Sequence, residues 1–225
     1  MISTHRPYTL LICNGEMAAP EVVRQLAGQA QSVLCADGGA NVAHALGILP
    51  DAVIGDFDSI TEDARSFFEG RGVDMLHISR QDDTDLEKAL KLLKERGESR
   101  VVLLGLTGKF LDHTLGNFSI LLRYTDSMQM VAFDPHFRVD VLASGGSFRS
   151  RAGDRVSVVP LPSADGLHYE GLRYPLDTGI LSFGLREGTC NEATTDSFSL
   201  TFSSGTILLF RQLFPRLSSH PFDDV

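Results

Sequence analysis

Two patterns alternate along the first 136 residues. Runs rich in apolar residues, at 8–13, 32–36, 52–54, 73–78, 101–106 and 128–133, predict short strands, the first of them buried. Between them apolar residues recur at helical spacing. Pro20 can open a helix whose face is Val22, Val23, Leu26 and Ala30. Further helices are expected over 40–46, 61–69 (with Thr61 as N-cap) and 112–124. The clearest helix follows Thr84. There Leu86, Ala89, Leu90 and Leu93 form a stripe ending before Gly97, and Thr84 with Glu87 has capping-box spacing. The run 101–106 is apolar throughout, as in a sheet covered on both faces. Strands alternating with helices predict a mostly parallel sheet with helices on both faces.

Beyond residue 136 the helical stripes stop. Short β-type runs at 138–142, 155–161, 198–202 and 206–210 are separated by Gly145-Gly146, Gly153-Asp154, Asp165-Gly166 and Ser204-Gly205. This predicts an all-β unit, a sandwich, over residues 137–225, behind an α/β unit over 1–136. The tail from 215 onward is polar, carries two prolines and is expected to be loose.

In parallel sheets ligands lie beyond the carboxyl ends of the strands. Five polar clusters follow strands here: Asn14-Gly15, Asp37-Gly38-Gly39, Asp56-Phe57-Asp58, Asp82-Asp83-Thr84-Asp85, and Thr107-Gly108-Lys109 on to Asp112. They should gather on one rim. If the backbone stays extended past Gly55, Asp56 and Asp58 point the same way. Converging carboxylates repel each other, and a hard divalent cation such as Mg2+ relieves that repulsion. Asp85 is the acid best placed to complete the set, although an acid in a first helical turn also needs no ligand to be favourable. The glycines after Asp37 allow close backbone approach at a helix N-terminus suited to an anion. Lys109 can meet a phosphate, and Asp112 can act as a base or cap its helix. His113 and Asn117 share one helix face. Acids for a metal, glycine turns and a lysine fit transfer of a phosphorus group from a Mg-nucleotide. No dinucleotide or ordinary P-loop fingerprint occurs.

Composition narrows the partners. The 225 residues carry a formal net charge of −9, which argues against a nucleic acid held on a basic surface. No run is long enough to span a membrane. The N-terminus has no apolar signal segment. Cys13, Cys35 and Cys190 form no CxxC pair, and the first two sit in apolar runs, as buried thiols of a reducing compartment do. A cytoplasmic protein is expected.

Taken in order, Ala36-Asp37-Gly38-Gly39-Ala40-Asn41, Gly55-Asp56-Phe57-Asp58-Ser59, Gln81-Asp82-Asp83-Thr84-Asp85-Leu86-Glu87-Lys88, the segment 105–117 and Gly188-Thr189-Cys190-Asn191-Glu192 resemble the thiamine pyrophosphokinase family. The resemblance implies a Rossmann-like N-terminal domain, a C-terminal β-sandwich, and a homodimer with active sites between subunits. It implies the reaction of ATP with thiamine to give AMP and thiamine diphosphate, with Mg2+. Its metal ligands would be Asp56, Asp58 and Asp85. Asp58, Asp85 and Asp112 are then the candidate catalytic residues. The candidate ATP and thiamine contacts are Asp37, Gly38, Asp82, Thr84, Thr107, Gly108, Lys109, Tyr174, Cys190 and Asn191. The chain departs from the family pattern in three ways. Phe110 stands where the family has an arginine, so a phosphate contact is missing unless Lys109 supplies it. Lysine is a point charge and cannot reproduce a bidentate fork. Cys190 stands for a serine, a weaker donor. The chain has no Trp, and Tyr174 is the candidate to stack on the thiamine ring. Other readings are a pyrophosphokinase acting on a pterin or another alcohol, a metal-dependent glycosyltransferase, and a non-catalytic relative that binds thiamine or nucleotide.

Overall fold

The computed structural model describes residues 7–79, 82–177, 179–213, 217 and 220–223. Its centre is Thr9–Ile12 (β1), which pairs in parallel with Ser32–Ala36 (β2) on one side and Arg100–Leu104 (β5) on the other. Ala52–Gly55 (β3) and Asp74–His77 (β4) extend the sheet beyond β2, and Gln129–Phe133 (β6) extends it beyond β5, all in parallel. Chain order therefore runs outward from β1 to β4 and then restarts at β5. The gap beyond the ends of β1 and β5 is a topological switch point.

Successive side chains on a strand face opposite ways, and on β1 both directions are buried. Leu11 faces Asp85–Glu95 (α4) and Leu111–Leu121 (α5), while Leu10 and Ile12 face Pro20–Gln29 (α1), Gly39–Leu46 (α2) and Glu62–Glu69 (α3). Such double burial is why the inner strands read as apolar runs, whereas β4, at the sheet edge, keeps Asp74 and His77 exposed. The helices start where the sequence predicts. Thr61 Oγ1 accepts from Ala64 N at 3.4 Å, and Thr84 Oγ1 accepts from Glu87 N at 3.3 Å. The Glu87 carboxylate, however, turns to Arg123 Nη1 at 2.8 Å. α5 is capped by Phe110, not by Asp112, which lies inside its first turn.

The sheet does not end at residue 136. Phe137–Leu142 (β7) pairs antiparallel with β6, and Ser204–Gln212 (β13) continues the path to the long strand Arg155–Glu170 (β9). One edge of β9 holds β13 and then Ser197–Thr201 (β12), which carries Gly146–Arg149 (β8). The other edge holds Gly188–Glu192 (β11) and Gly179–Ser182 (β10). The expected break at Asp165-Gly166 lies inside β9, where Gly166, at positive φ, bends the strand without ending it. The break expected at Ser204-Gly205 falls just before it, at 202–203, and Ser204 and Gly205 open β13. The sequence pattern misses β8, β10 and β11, because each begins with glycine and holds at most two apolar side chains. These strands enclose a separate core that includes Phe148 stacked on Phe198.

The tail is not loose where it is described. Phe222 is 4% exposed, packs on Tyr8 and joins the core under α1 and α2. Arg138 donates to Pro221 O, and Gln25 donates to Leu217 O. The rest of that tail, and Gln81 of the third motif, lie outside the described residues.

Candidate active site

A cleft of about 730 Å³ opens at the switch point. The segments following all five of the first strands contribute to its wall, as the clustering of polar residues predicts.

The first wall is acidic. Asp37, Asp56 and Asp58 can each bring one carboxylate oxygen within 4.8 Å of the others. The backbone does not stay extended past Gly55 to achieve this. Phe57 takes φ +66°, which swings its ring away toward His77 and Arg65, at 5.5 and 5.6 Å. Asp58 N then donates to Asp56 Oδ1 at 3.4 Å, a side-chain turn that keeps both acids on one side. Asn41 braces this loop by donating to Ser59 O at 2.9 Å and accepting from Thr61 N at 2.8 Å.

Asp37 is the buried member, 3% exposed and at φ +39°. Its Oδ2 accepts from Ser59 N at 3.1 Å, whereas its Oδ1 is buried with no hydrogen-bond partner. A side chain at Gly55 would put its Cβ 2.9 Å from the Cβ of Asp37, so glycine there is a steric requirement. Burial, with the nearby Asp85 charge, pushes the Asp37 carboxyl up to about 6 despite the hydrogen bonds from Ser59. An orphaned buried oxygen among converging carboxylates is the environment a hard cation satisfies, so these residues fit Mg2+.

Asp85, the first residue of α4, lies beside this group with a partner of its own. Lys88 Nζ donates to Asp85 Oδ1 at 2.9 Å and lies 3.8 Å from Asp56 Oδ2. Burial would lower the ammonium pKa, but Asp85, Asp56 and Asp37 outweigh it and raise it. Lys88 is 4% exposed, a burial lysine tolerates only when paired. Its role was not read from the sequence. The available signal was its place three residues after Asp85, one helical turn on toward the same face. Of the neighbouring acids, Asp83 rather than Asp82 reaches the cleft, and it is held by Lys91 at 2.6 Å. Thr84 lines the cleft as well as capping α4.

The opposite wall is Thr107, Gly108 and Lys109 followed by α5. Lys109, at φ +57°, donates to Asn14 Oδ1 at 2.8 Å, and Asn117 Nδ2 ties α5 to Leu106 O at 2.8 Å. Asp112 and His113 line the cleft and are exposed. Gly38 sits behind the wall as the N-cap of α2, pressed against Asn14, where an added Cβ would lie 2.4 Å from Nδ2.

The C-terminal candidates are elsewhere. Tyr174, Cys190 and Asn191 are not among the residues around this cleft. Tyr174 is 62% exposed. Asn191 is buried, and its amide is committed: Oδ1 accepts from Tyr174 N at 3.0 Å and Nδ2 donates to Tyr174 O at 2.8 Å. Cys190, at φ +62°, exposes a thiol that accepts from Arg155 Nη2 at 3.2 Å.

A parallel α/β sheet with an acid cluster at its switch point, joined to an antiparallel β half, describes a class of metal-nucleotide site. The particular family comes from comparison. Residues 23–133 match the model of the thiamin pyrophosphokinase catalytic domain, and residues 147–207 match that of the thiamin pyrophosphokinase vitamin B1 binding domain. The chain is 30% identical to thiamin pyrophosphokinase 1 of Caenorhabditis elegans, over 70% of this chain and 68% of that one. It is 26% identical to thiamine pyrophosphokinase of Bacillus subtilis, over 73% and 79%. The crystal structure of thiamin pyrophosphokinase from Geobacillus thermodenitrificans superposes with a TM-score of 0.78 at 26% identity, covering 92% of this chain and 98% of that one. The chain belongs to the thiamin pyrophosphokinase family.

Proposed function

We propose that this protein transfers the pyrophosphoryl group of ATP to the hydroxyl of thiamine, giving thiamine diphosphate and AMP. The observation that carries this is the convergence of Asp37, Asp56 and Asp58 at the switch point of a chain of this family. Asp56 and Asp58, flanked by Asp37 and Asp85, would hold Mg2+. When bound, that ion supplies neutralisation of the phosphate charge. Lys109 and the backbone N–H groups of the loop at 105–109 bind phosphate oxygens. Phe110 leaves the expected arginine fork unreplaced. The thiamine hydroxyl oxygen forms the bond to the β-phosphorus, the bond from that phosphorus to the α–β bridging oxygen breaks, and AMP leaves with that oxygen. Asp85 already accepts from Lys88, so we assign the hydroxyl proton to the Asp112 carboxylate.

The division into a nucleotide- and metal-binding part, 1–136, and a thiamine-binding sandwich, 137–225, belongs to the same reading. Its support is the separate core around Phe148 and Phe198 and the gap between the two matched segments. So does a homodimer. Tyr174 and Cys190 lie outside the cleft of their own chain, and α5 exposes Leu111 and Leu115, so a second copy would complete each site. We also place the protein in the cytoplasm, a setting that suits three free cysteines. Among the described residues no helix is long and apolar enough to cross a membrane.

The test is incubation with thiamine, ATP and Mg2+, then chromatography of nucleotides and thiamine species. AMP and thiamine diphosphate in equal amounts are expected. ADP with thiamine monophosphate would mean that the γ-phosphorus is attacked. No product from folded, metal-loaded protein would overturn the reading.

A further inference from the structure

The cleft face of α5 carries two features that the roles above leave unused. The first is Gly116. It stands inside an eleven-residue helix, where glycine is less stable than alanine. Nothing among the described residues requires it, because an added Cβ would meet none of their atoms within 4 Å. Gly39 is different: its Cβ would lie 2.1 Å from Ile12 O, so that glycine is fixed by the fold. Gly116 is exposed and borders the cleft, so its bare backbone faces open ligand space. The second feature is Phe110. It borders the same cleft yet is 64% exposed, with its ring 5.5 Å from that of His113 and tilted by 46°. His113 lies three residues before Gly116, one turn away on the same face. A helix surface stripped of its side chain, beside a solvated aromatic pair, makes a shelf with an upright at one end. Flat rings pack on such surfaces by face and edge contacts.

We infer that Gly116 and Phe110 form the seat of a flat heteroaromatic ring of one substrate, with Gly116 as floor and Phe110, steadied by His113, as end wall. This rests on the proposed function for the identity of the two ring-bearing substrates, ATP and thiamine. It makes Phe110 a specificity residue of this chain rather than only a lost phosphate contact.

The experiment compares Gly116→Ala, Gly116→Leu and Phe110→Ala with Gly28→Ala. Gly28 is also exposed, lies in a helix and has nothing near its Cβ, but is remote from the cleft, so it serves as control. Steady-state kinetics and calorimetric binding of ATP and thiamine, each alone, are the readouts. Both glycine-to-alanine changes should raise the melting temperature, by about 2–4 °C. Gly116→Leu should raise KM and Kd for one substrate about tenfold or more, with kcat within about twofold, and Phe110→Ala should weaken the same substrate. A shift for ATP assigns the shelf to the purine, and a shift for thiamine assigns it to the vitamin's ring. If Gly116→Leu does not fold, Gly116→Ala decides: a higher melting temperature with weaker binding supports the seat. Unchanged Kd values for both substrates in the folded Gly116 variants overturn it. A wild-type protein that binds ATP but forms no thiamine diphosphate would defeat the proposed function while leaving the shelf testable by ATP binding.

Discussion

Asp37 and Asp140 are both buried, and their surroundings have opposite effects. Asp140, on β7 where the two halves of the sheet meet, is 1% exposed. It accepts from Arg138 Nε at 3.0 Å and from Arg211 Nε at 3.0 Å, with further contacts from both guanidinium groups. Burial alone would push its carboxyl up, but the two arginines hold it below the usual carboxylate range. Arg138 also donates to Pro221 O, so the cluster joins β7, β13 and the tail. Asp37 faces the cleft with an orphaned oxygen, other acids beside it and Lys88 turned to Asp85, and its carboxyl is pushed up. A buried charge with all its partners in the chain holds a fold together. One left partly unmet is prepared for a cation from outside.

Substitutions should separate the two regions. Asp140→Ala leaves two buried arginines facing each other and should cost about 3–5 kcal/mol, read as a fall in the urea midpoint, while kcat per folded molecule is retained. Equal stability to wild type would mean that the cluster does not join the halves. Asp58→Asn should do the reverse: kcat falls on the order of 100-fold or more with the thermal transition nearly unchanged, since Asp58 is exposed. Near wild-type turnover would remove Asp58 from the metal set.

Asp37→Asn probes the raised carboxyl directly. A folded-state pKa of about 6 against the usual 3.8 means that folding favours the protonated form. The stability it contributes is full below the unfolded value and is lost as pH rises through about 6. Above that pH the ionised group should cost on the order of 1–3 kcal/mol. The variant should therefore melt higher than wild type at pH 8 and match it near pH 4, and Mg2+ should stabilise wild type more than the variant. A variant that melts lower at pH 8 would refute the assignment. The smallest effect belongs to Thr84→Ala, which removes the cap beneath Asp85 and should cost about 1 kcal/mol in chemical denaturation, recovered by Thr84→Ser.

Much of this was legible in the chain itself. Apolar runs mark strands covered on both faces and the 3.6-residue period marks the buried stripe of a helix, so the strands from β1 to β6 and their intervening helices fall close to their expected places. Glycine, asparagine and aspartate cluster where strands end, which located the rim of the site and the motifs that resemble the family. Local pattern carries no information on which strands become neighbours. Pairing of β1 with both β2 and β5 is a long-range packing outcome, and it puts the switch point, and hence the cleft, between Asn14 and Gly105. Packing also grouped Asp37 with Asp56 and Asp58 and buried Lys88 against Asp85. It carried β9 through Asp165-Gly166 because neighbours on both edges held its backbone hydrogen bonds. The tail looked loose for a related reason. Its polar composition describes water, but Phe222 and the carbonyl of Pro221 found partners in Tyr8 and Arg138, residues from other parts of the chain that only the folded molecule brings to them.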